Sequence, residues 1–544
     1  MTKTLRLIII AFFSWASVSA FASAELDQTA QDHINSRFQN ADLRLTEVKS
    51  SLTGRHYHYQ SFLNDREVDG NEFVVSLKYD GSLLKTYDRF TKVSSDEKSN
   101  TAALQLITKE GALDTAWEYL RVHGELIDLP QVELNYRRIQ GQLRLVYKAQ
   151  VNVSKPWGYW ELIIDATTGK VTNVRNTSIT RRKMEWKMDL SAYKGKLSSR
   201  LEESQKLVSK ILDQNLKSTS DFVSGSATVF DPNPVTTLMN GELRDNTRGP
   251  VFDAAYFGVQ LQQLTESNGT YTLSGPFVKL ADFESPRTAP STSRDGSWNF
   301  KRGNTAFNDA MTFYHIDASQ RYIQSLGFTG DRGFLNFPVE VDANGVNGAD
   351  NSHFIPSSNR LAFGHGCVDD NEDSDVILHE YGHAIQHNII SNWRGGDTGA
   401  MGEGFGDYWA ASFSASRKNG LAFKPNWVFK WDGHNNCWPG RKLNALNMRY
   451  DHSRRYSAHS RVSGGISDEL WSTPLFQAFL ELLDKGYKRS DMDKIVLEGH
   501  FGLGSGPKMR DLARSTVTAA SNLFPDGPHA EVYRAHFKRH GIIE

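Results

Sequence analysis

The chain has almost no net charge: 62 Lys and Arg against 63 Asp and Glu leave a formal −1 over 544 residues. No global field is available to recruit nucleic acid or an anionic membrane, and the charged patches are short, so a nucleic-acid partner is not expected. The sequence also lacks any long apolar run beyond its first residues. A membrane-spanning helix needs about 20 such residues, so no stable membrane anchor is expected in the body of the protein. Internal repeats and low-complexity tracts are missing too. Cysteine is limited to Cys367 and Cys437. Two readings stay open for them: a disulfide across that long separation, or two separate buried thiols.

The remaining composition, 39% hydrophobic and 23% charged, is that of a soluble globular protein with a sizeable core. The length implies two or three folded units. Lys3 and Arg6 precede a largely apolar stretch from Leu7 to Phe21, and Ala22-Ser23-Ala24 supplies small residues at its exit. This pattern predicts a signal peptide over 1–24, with an uncleaved signal anchor as the alternative. No cysteine stands at the exit to carry a lipid. The expected location is therefore outside the cytoplasm, secreted or periplasmic, where a disulfide would persist.

Residues 25–180 read as mixed α and β. Alternating runs at 56–62 and 72–77 predict strands, with Asp69-Gly70 and Asp80-Gly81 as turns between them. A helix is expected around Ala112 to Val122, then strands over Leu143 to Val153 and Trp160 to Ile164, with a turn from Asp165 to Gly169. Residues 181–220 turn charged and helix-prone, especially Lys196 to Leu216, which suggests a solvated connector open to proteolytic nicking. Residues 221–544 begin with turns and become strongly helical. Phe307, Met311, Tyr314, Ala318, Tyr322 and Leu326 recur at helical spacing before Gly327, which predicts a core-packing stripe ended by a glycine cap.

The segment with most chemistry is Asp375-Val-Ile-Leu-His379-Glu380-Tyr-Gly-His383. On a helix, His379 and His383 share a face and can offer imidazoles to one ion, while Glu380 sits beside them without displacing a bound water. Glu403 follows 20 residues after His383, within Gly402-Glu403-Gly404-Phe405-Gly406-Asp407. Two His and one Glu make a catalytic zinc set with a free fourth position. Asp407, four residues after Glu403, is placed to bond the His379 nitrogen that does not bind metal. A third His six residues after His383 would define another zinc class, but Ile389 stands there. His387 is expected to face solvent.

His379-Glu380-x-x-His383, with Gly399-Ala-Met-Gly-Glu403-Gly-Phe-Gly-Asp407, resembles the thermolysin and fungalysin group of gluzincin metalloproteases. Residues 56–88 and 102–174 are similar to the two modules of the fungalysin/thermolysin propeptide, and about 307–471 to the catalytic domain. The resemblance implies an α+β protein: a propeptide over 25–180, a connector, and a thermolysin-like two-lobe catalytic domain over 221–544. Its first lobe would contain β-structure and its second would be helical. It implies Zn2+ on His379, His383 and Glu403, with Glu380 as general base. Calcium is a second candidate ion, through the acids from Asp369 to Asp375. The alternative is that these acids favour the helix N-terminus through its dipole.

From the same resemblance, His459 would stabilise the oxyanion, with His452 as the alternative; the supporting Asp of thermolysin is not evident beside it. Asn351 would contact the substrate backbone, the Ser352 carbonyl would accept from the leaving amine, and Arg441 would grip a substrate carbonyl. Arg394 stands near the spacing of thermolysin's oxyanion-pocket tyrosine. The implied activity is a secreted zinc endopeptidase acting on proteins or peptides, held inactive by its own propeptide. A catalytically silent binding protein of the same fold is the other hypothesis, and the intact Glu380 argues against it.

Overall fold

A computed structural model describes residues 23–100, 105–183 and 222–544. Nearly all of the expected signal peptide and most of the 181–220 connector, including the helix-prone stretch 196–216, lie outside the described residues. Among those described, no helix is long and apolar enough to cross a membrane. The protein mixes helix and sheet, in keeping with an α+β class.

The chain up to residue 176 builds one eight-stranded sheet. Strands β1 (Leu43–Ser50), β2 (Gly54–Leu63), β3 (Arg66–Lys78) and β4 (Leu83–Asp88) form an antiparallel meander. Strands β5 (Gln131–Ile139), β6 (Gln142–Ser154), β7 (Trp157–Asp165) and β8 (Val171–Asn176) form a second, joined where Val68 of β3 meets Tyr136 of β5. Alternation decides the faces of β2. Tyr57 and Tyr59 point to a helix over residues 23–37 and pack with its Leu26, Ala30 and Ile34, while His56, His58 and Gln60 take the opposite face. A helix at Lys109–Leu120, capped by Thr108, lays Ala112, Ala116, Trp117 and Leu120 on the second meander.

Asp80-Gly81 is a turn as expected, with Gly81 at φ +83°. Asp69-Gly70 is not. It lies within β3, where the register with β2 slips between the Gln60 and Phe62 pairs. The hairpin turn is instead Asn64-Asp65, whose φ values of +48° and +58° suit the twist of a two-residue loop. Asn and Asp tolerate that left-handed conformation, so the nearby glycine was the more conspicuous signal but not the operative one.

Residues 222–544 share one continuous core. A strand over Phe222–Phe230 pairs with one over Tyr256–Ser267 at the centre of one five-stranded sheet. The other five-stranded sheet holds short strands at Val278–Leu280, Val339–Asp342, Arg360–Phe363 and Ser352–Ile355, and its edge is completed by Ile179–Thr180. The N-terminal part of the chain thus ends as a strand of the C-terminal part's sheet. The helix expected near 307–326 spans Thr305–Ser325, with Gly327 at φ +106° just beyond. It is more deeply enclosed than a single stripe implies. Phe307, Met311 and Leu326 are buried, Tyr314, Ala318 and Tyr322 only half-buried, and Ala310, Phe313, Ile316 and Ile323 complete the inner faces. Helices at Ser374–Ile389 (α4) and Thr398–Ala415 (α5) follow, then four more at Ser467–Asp484 (α6), Arg489–His500, Met509–Leu523 and His529–Arg539.

Cys367 and Cys437 form a disulfide that closes a separation of 70 residues; loop entropy alone gives such a bridge about 4 kcal/mol of stabilisation. The seam between the two parts is both apolar and polar: Tyr159 packs with Phe283, Ile355 and Ala362, and Leu52 and Tyr87 pack against the second part's core. Glu498 accepts from Ser51 Oγ at 2.6 Å and Leu52 N at 3.0 Å, Lys49 Nζ donates to Ile389 O at 2.8 Å, and Arg360 pairs with Asp128 at 2.8 Å.

Candidate metal centre and the segment across it

The α4 helix starts where Asp373 accepts from Asp375 N. Its apolar residues Val376, Ile377, Leu378, Tyr381, Ala384 and Ile385 are buried on several faces, so His379, Glu380 and His383 are carried into the interior. The α5 helix comes against it through glycines. A Cβ on Gly406 would lie 2.6 Å from His379 Nδ1, and one on Gly404 would lie 2.6 Å from the Asp468 carbonyl oxygen of α6. Small residues at these two positions let three helices converge and bring Glu403 to the histidines.

His379 Nε2 lies 3.3 Å from Glu403 Oε2, and His383 Nε2 lies 3.4 Å from Glu403 Oε1. One donor atom from each residue falls within 4.8 Å of the others. The Nε2 atoms of His379 and His383, Oε1 of Glu403 and both Glu380 carboxylate oxygens are buried without a hydrogen-bond partner among the described residues. Buried polar atoms are nearly always satisfied, so five converging exceptions fit a cation site. Two imidazoles and a carboxylate are a donor set suited to zinc.

The surroundings tune these groups. Asp407 Oδ1 lies 3.0 Å from His379 Nδ1, leaving Nε2 to face Glu403. Burial works to lower the His379 pKa, but the neighbouring carboxylates of Asp407 and Glu403 outweigh that and carry it up to about 9. Burial alone dominates at His383, which falls to about 3. Burial likewise raises Glu380 to about 8, with Glu403 adding to the rise and His379 opposing it. At Glu403 burial is outweighed by His459, His383, His379 and Arg441, which hold the carboxyl well below its ordinary value.

His459 comes to the same place from the loop before α6. Its Nδ1 lies 2.9 Å from Asp468 Oδ2, and its backbone N donates to Asp468 Oδ1 at 2.9 Å. Asp468, near the start of α6, is thus the supporting carboxylate not evident in the sequence; its place after the Gly464-Gly465 turn was the available signal. His459 has φ +55°, a conformation that costs a non-glycine residue about 1 kcal/mol or more and is held here by that double anchor. His452 instead bonds the Gly541 carbonyl at 3.0 Å and is exposed.

The chain's own residues 179–182 lie across this centre. Ile179–Thr180 pairs antiparallel with Ser352–Ile355. The Thr180 carbonyl oxygen lies 2.8 Å from His459 Nε2, and Arg181 N donates to Ser352 O at 3.2 Å. Arg441 Nη2 donates to the Arg181 carbonyl. Asn351 brackets Arg182, accepting from its N at 3.1 Å and donating to its O at 2.9 Å. All four residues expected around a substrate backbone therefore touch this one extended segment. A cavity of about 650 Å³ continues along the seam from Glu403, His459 and Thr180 toward Glu72 and Asn392.

Arg394, near the spacing of the family's tyrosine, pairs through its guanidinium with Asp69 of β3. One expectation is corrected. His387 is not solvent-facing but half-buried, 5.6 Å from the Phe354 ring. The acids from Asp369 to Asp375 have protein donors. Asp369 accepts from Asn308, Asp370 from Arg181, Glu372 from Arg302, Asp373 from Trp431 N, and Asp375 from Phe429 N. Asp373 caps α4, as the helix-terminus alternative implies, and Asp370 stands with Asp350 and Asp432 in a group whose oxygens lie within 4.8 Å of one another.

No protein-family model and no curated sequence matches the chain. Among solved structures, the precursor of protealysin, a metalloproteinase from Serratia proteamaculans, is similar at 13% identity and a TM-score of 0.35. The match covers 48% of this chain and 84% of that one. The C-terminal domain of Bacillus megaterium YpeB is similar at 13% identity and a TM-score of 0.17, over 28% of this chain and 64% of that one.

Proposed function

We propose that this chain is the precursor of a secreted zinc-dependent endopeptidase. Residues 25–180 are its propeptide, 181–220 a connector, and 221–544 a two-lobe catalytic domain with a β-containing first lobe and a helical second. The observation that carries the reading is the convergence of His379, His383 and Glu403 beside a buried Glu380 that has no partner among the described residues. An extended stretch of the chain, laid against Ser352–Ile355 with its carbonyl on His459, supports a protein or peptide substrate bound in the same manner.

His379, His383 and Glu403 hold the metal, and zinc bound there supplies a Lewis acid and a water of lowered pKa. Asp407 keeps the His379 ring in the tautomer that leaves Nε2 free for it. Glu380 accepts a proton from the attacking water and returns it to the leaving nitrogen. His459, oriented by Asp468, donates to the oxygen that becomes negative as water adds. Ser352 O and Asn351 hold the segment after the bond, and Arg441 holds its next carbonyl. The propeptide keeps this apparatus inactive by occupying it. Chelation of the purified, processed protein is expected to abolish digestion of an unstructured protein substrate, and added Zn2+ to restore it. Digestion that continues at full rate in the metal-stripped protein would sink the reading.

The propeptide seam carries a pH dependence. His56 is buried there and His58 and His387 are half-buried, near Lys49 and Lys85. Burial, with those lysines adding to it, depresses His58 to about 3 and His56 well below its ordinary 6.5. Burial and Lys49 depress His387 to about 4. All three are neutral in the assembled precursor and take up protons once separated. Folded pKa values that are depressed give a stabilisation present above about pH 6.5 and lost as pH falls toward 4. With the connector cut at neutral pH, size-exclusion chromatography is expected to show the propeptide dissociating progressively below pH 6.5. Retention that is independent of pH over this range would refute the assignment.

A further inference from the structure

Arg181 is fully buried, and its guanidinium enters a pocket the proposed mechanism does not use. Nη2 bonds Asp370 Oδ1 at 2.8 Å, and Nη1 bonds Asp432 Oδ2. The aromatic rings of Trp438 and Phe429 flank it at 4.7 and 5.6 Å. Ser352 donates to the far oxygen of Asp370, and Asp432 Oδ1 is buried without a partner among the described residues. The next residue repeats the theme: Arg182 pairs with Asp350 and lies 5.3 Å from the Trp438 ring.

The pocket is selective by its own electrostatics. Asp370 and Asp432 expose essentially none of their side chains, and burial pushes both carboxyls up, Asp432 to about 7, with the Arg181 charge pulling them back down. Two buried like charges tolerate an apolar occupant badly, because it leaves both uncompensated. A planar guanidinium answers them with fixed donors, and an ammonium does so with fewer. The Cys367–Cys437 disulfide ties together the chain segments that carry Asp370 and Asp432, so the walls are braced as well as charged.

We infer that this acidic pocket is the specificity site of the protease, that it takes an arginine immediately after the cleaved bond, and that the enzyme's first cut falls between Thr180 and Arg181. The inference rests on the endopeptidase reading. The backbone contacts single out that bond: His459 meets the Thr180 carbonyl, and Ser352 O accepts from the Arg181 nitrogen. Hydrolysis breaks the bond between the Thr180 carbonyl carbon and that nitrogen. The water oxygen joins the carbon and both water protons end on the nitrogen, leaving a Thr180 carboxylate and an Arg181 ammonium. The substrate class is a protein chain with arginine after the cut, and with a second basic residue following it for Asp350.

The test compares full-length wild-type precursor with Arg181→Lys and Arg181→Leu, mapping new N-termini by mass spectrometry over time. Wild type is expected to yield a chain beginning at Arg181. Arg181→Lys should do so more slowly, and Arg181→Leu slower by about 10⁴-fold, the scale on which a site with buried polar groups rejects a side chain that cannot pair them. Processed wild type is then given quenched peptides that differ only after the bond, and kcat/KM should fall from Arg to Lys to Leu. In Asp432→Leu the ratio of Arg to Leu cleavage should collapse, and this ratio is unaffected if part of the sample misfolds. A leucine peptide cut as well as the arginine peptide would overturn the inference while leaving the endopeptidase reading intact. Loss of chelator-sensitive digestion of unstructured protein would instead remove that reading, and this inference with it.

Discussion

Glu380→Gln is expected to give a precursor that folds, binds zinc and does nothing further. The amide keeps the size of the side chain but cannot take a proton from water, so a general-base contribution of about 10³-fold or more should vanish from kcat. The three residues proposed to hold the metal are untouched, and metal analysis should return one zinc per chain in variant and wild type alike. The fold should not suffer. Among the described residues both Glu380 oxygens are buried without partners, so an amide of the same size gives up no hydrogen bond to the protein. The thermal midpoint is expected to match that of wild type. On a gel, the variant precursor should remain at full length under conditions where wild type matures. Normal maturation and digestion by this variant would show that Glu380 is not the base, whatever metal the site holds.

This centre was legible in the sequence to the extent that its parts are local. His379, Glu380 and His383 lie within one turn of helix, and helical periodicity alone puts both imidazoles on one face. Glu403 and Asp407 repeat that spacing on the next helix, and the glycines around them mark close helix packing. Other parts had no such signal. Asp370 and Asp432 meet Arg181 across 189 and 251 residues of sequence, and no periodicity links positions so far apart. The charge run Arg181-Arg182-Lys183 could be read only as the start of a solvated connector, because its partners are supplied by the fold. Asp468 was overlooked for a smaller reason: it stands after a glycine turn that displaces it from the spacing expected of the resemblance. The misplaced turn at Asp69-Gly70 has the same character. Glycine signals a permissive backbone without saying whether the chain reverses or bulges there.

Arg441 is expected to show the largest effect on stability. It is buried, and its guanidinium lies 2.7 Å from Asp407 Oδ1, 3.0 Å from Glu403 Oε2 and 3.8 Å from Asp468 Oδ2. In the proposed site these carboxylates orient His379, complete the metal set and orient His459, so one cation neutralises the acids behind three parts of it. Arg441→Ala leaves them facing one another in the interior. Removal of one partner from a buried ion pair costs about 3–5 kcal/mol, and denaturant unfolding of the zinc-loaded precursor should shift by that amount. Arg441→Lys separates the structural role from the positioning one. An ammonium restores the charge, so most of the stability should return. It cannot span two carboxylates and also donate to the carbonyl that Arg441 meets at Arg181, so kcat/KM should stay depressed by about 10- to 100-fold, chiefly through KM. Recovery of both quantities together in the lysine variant would reduce Arg441 to a counter-ion. An alanine variant that unfolds at the wild-type denaturant concentration would remove even that role.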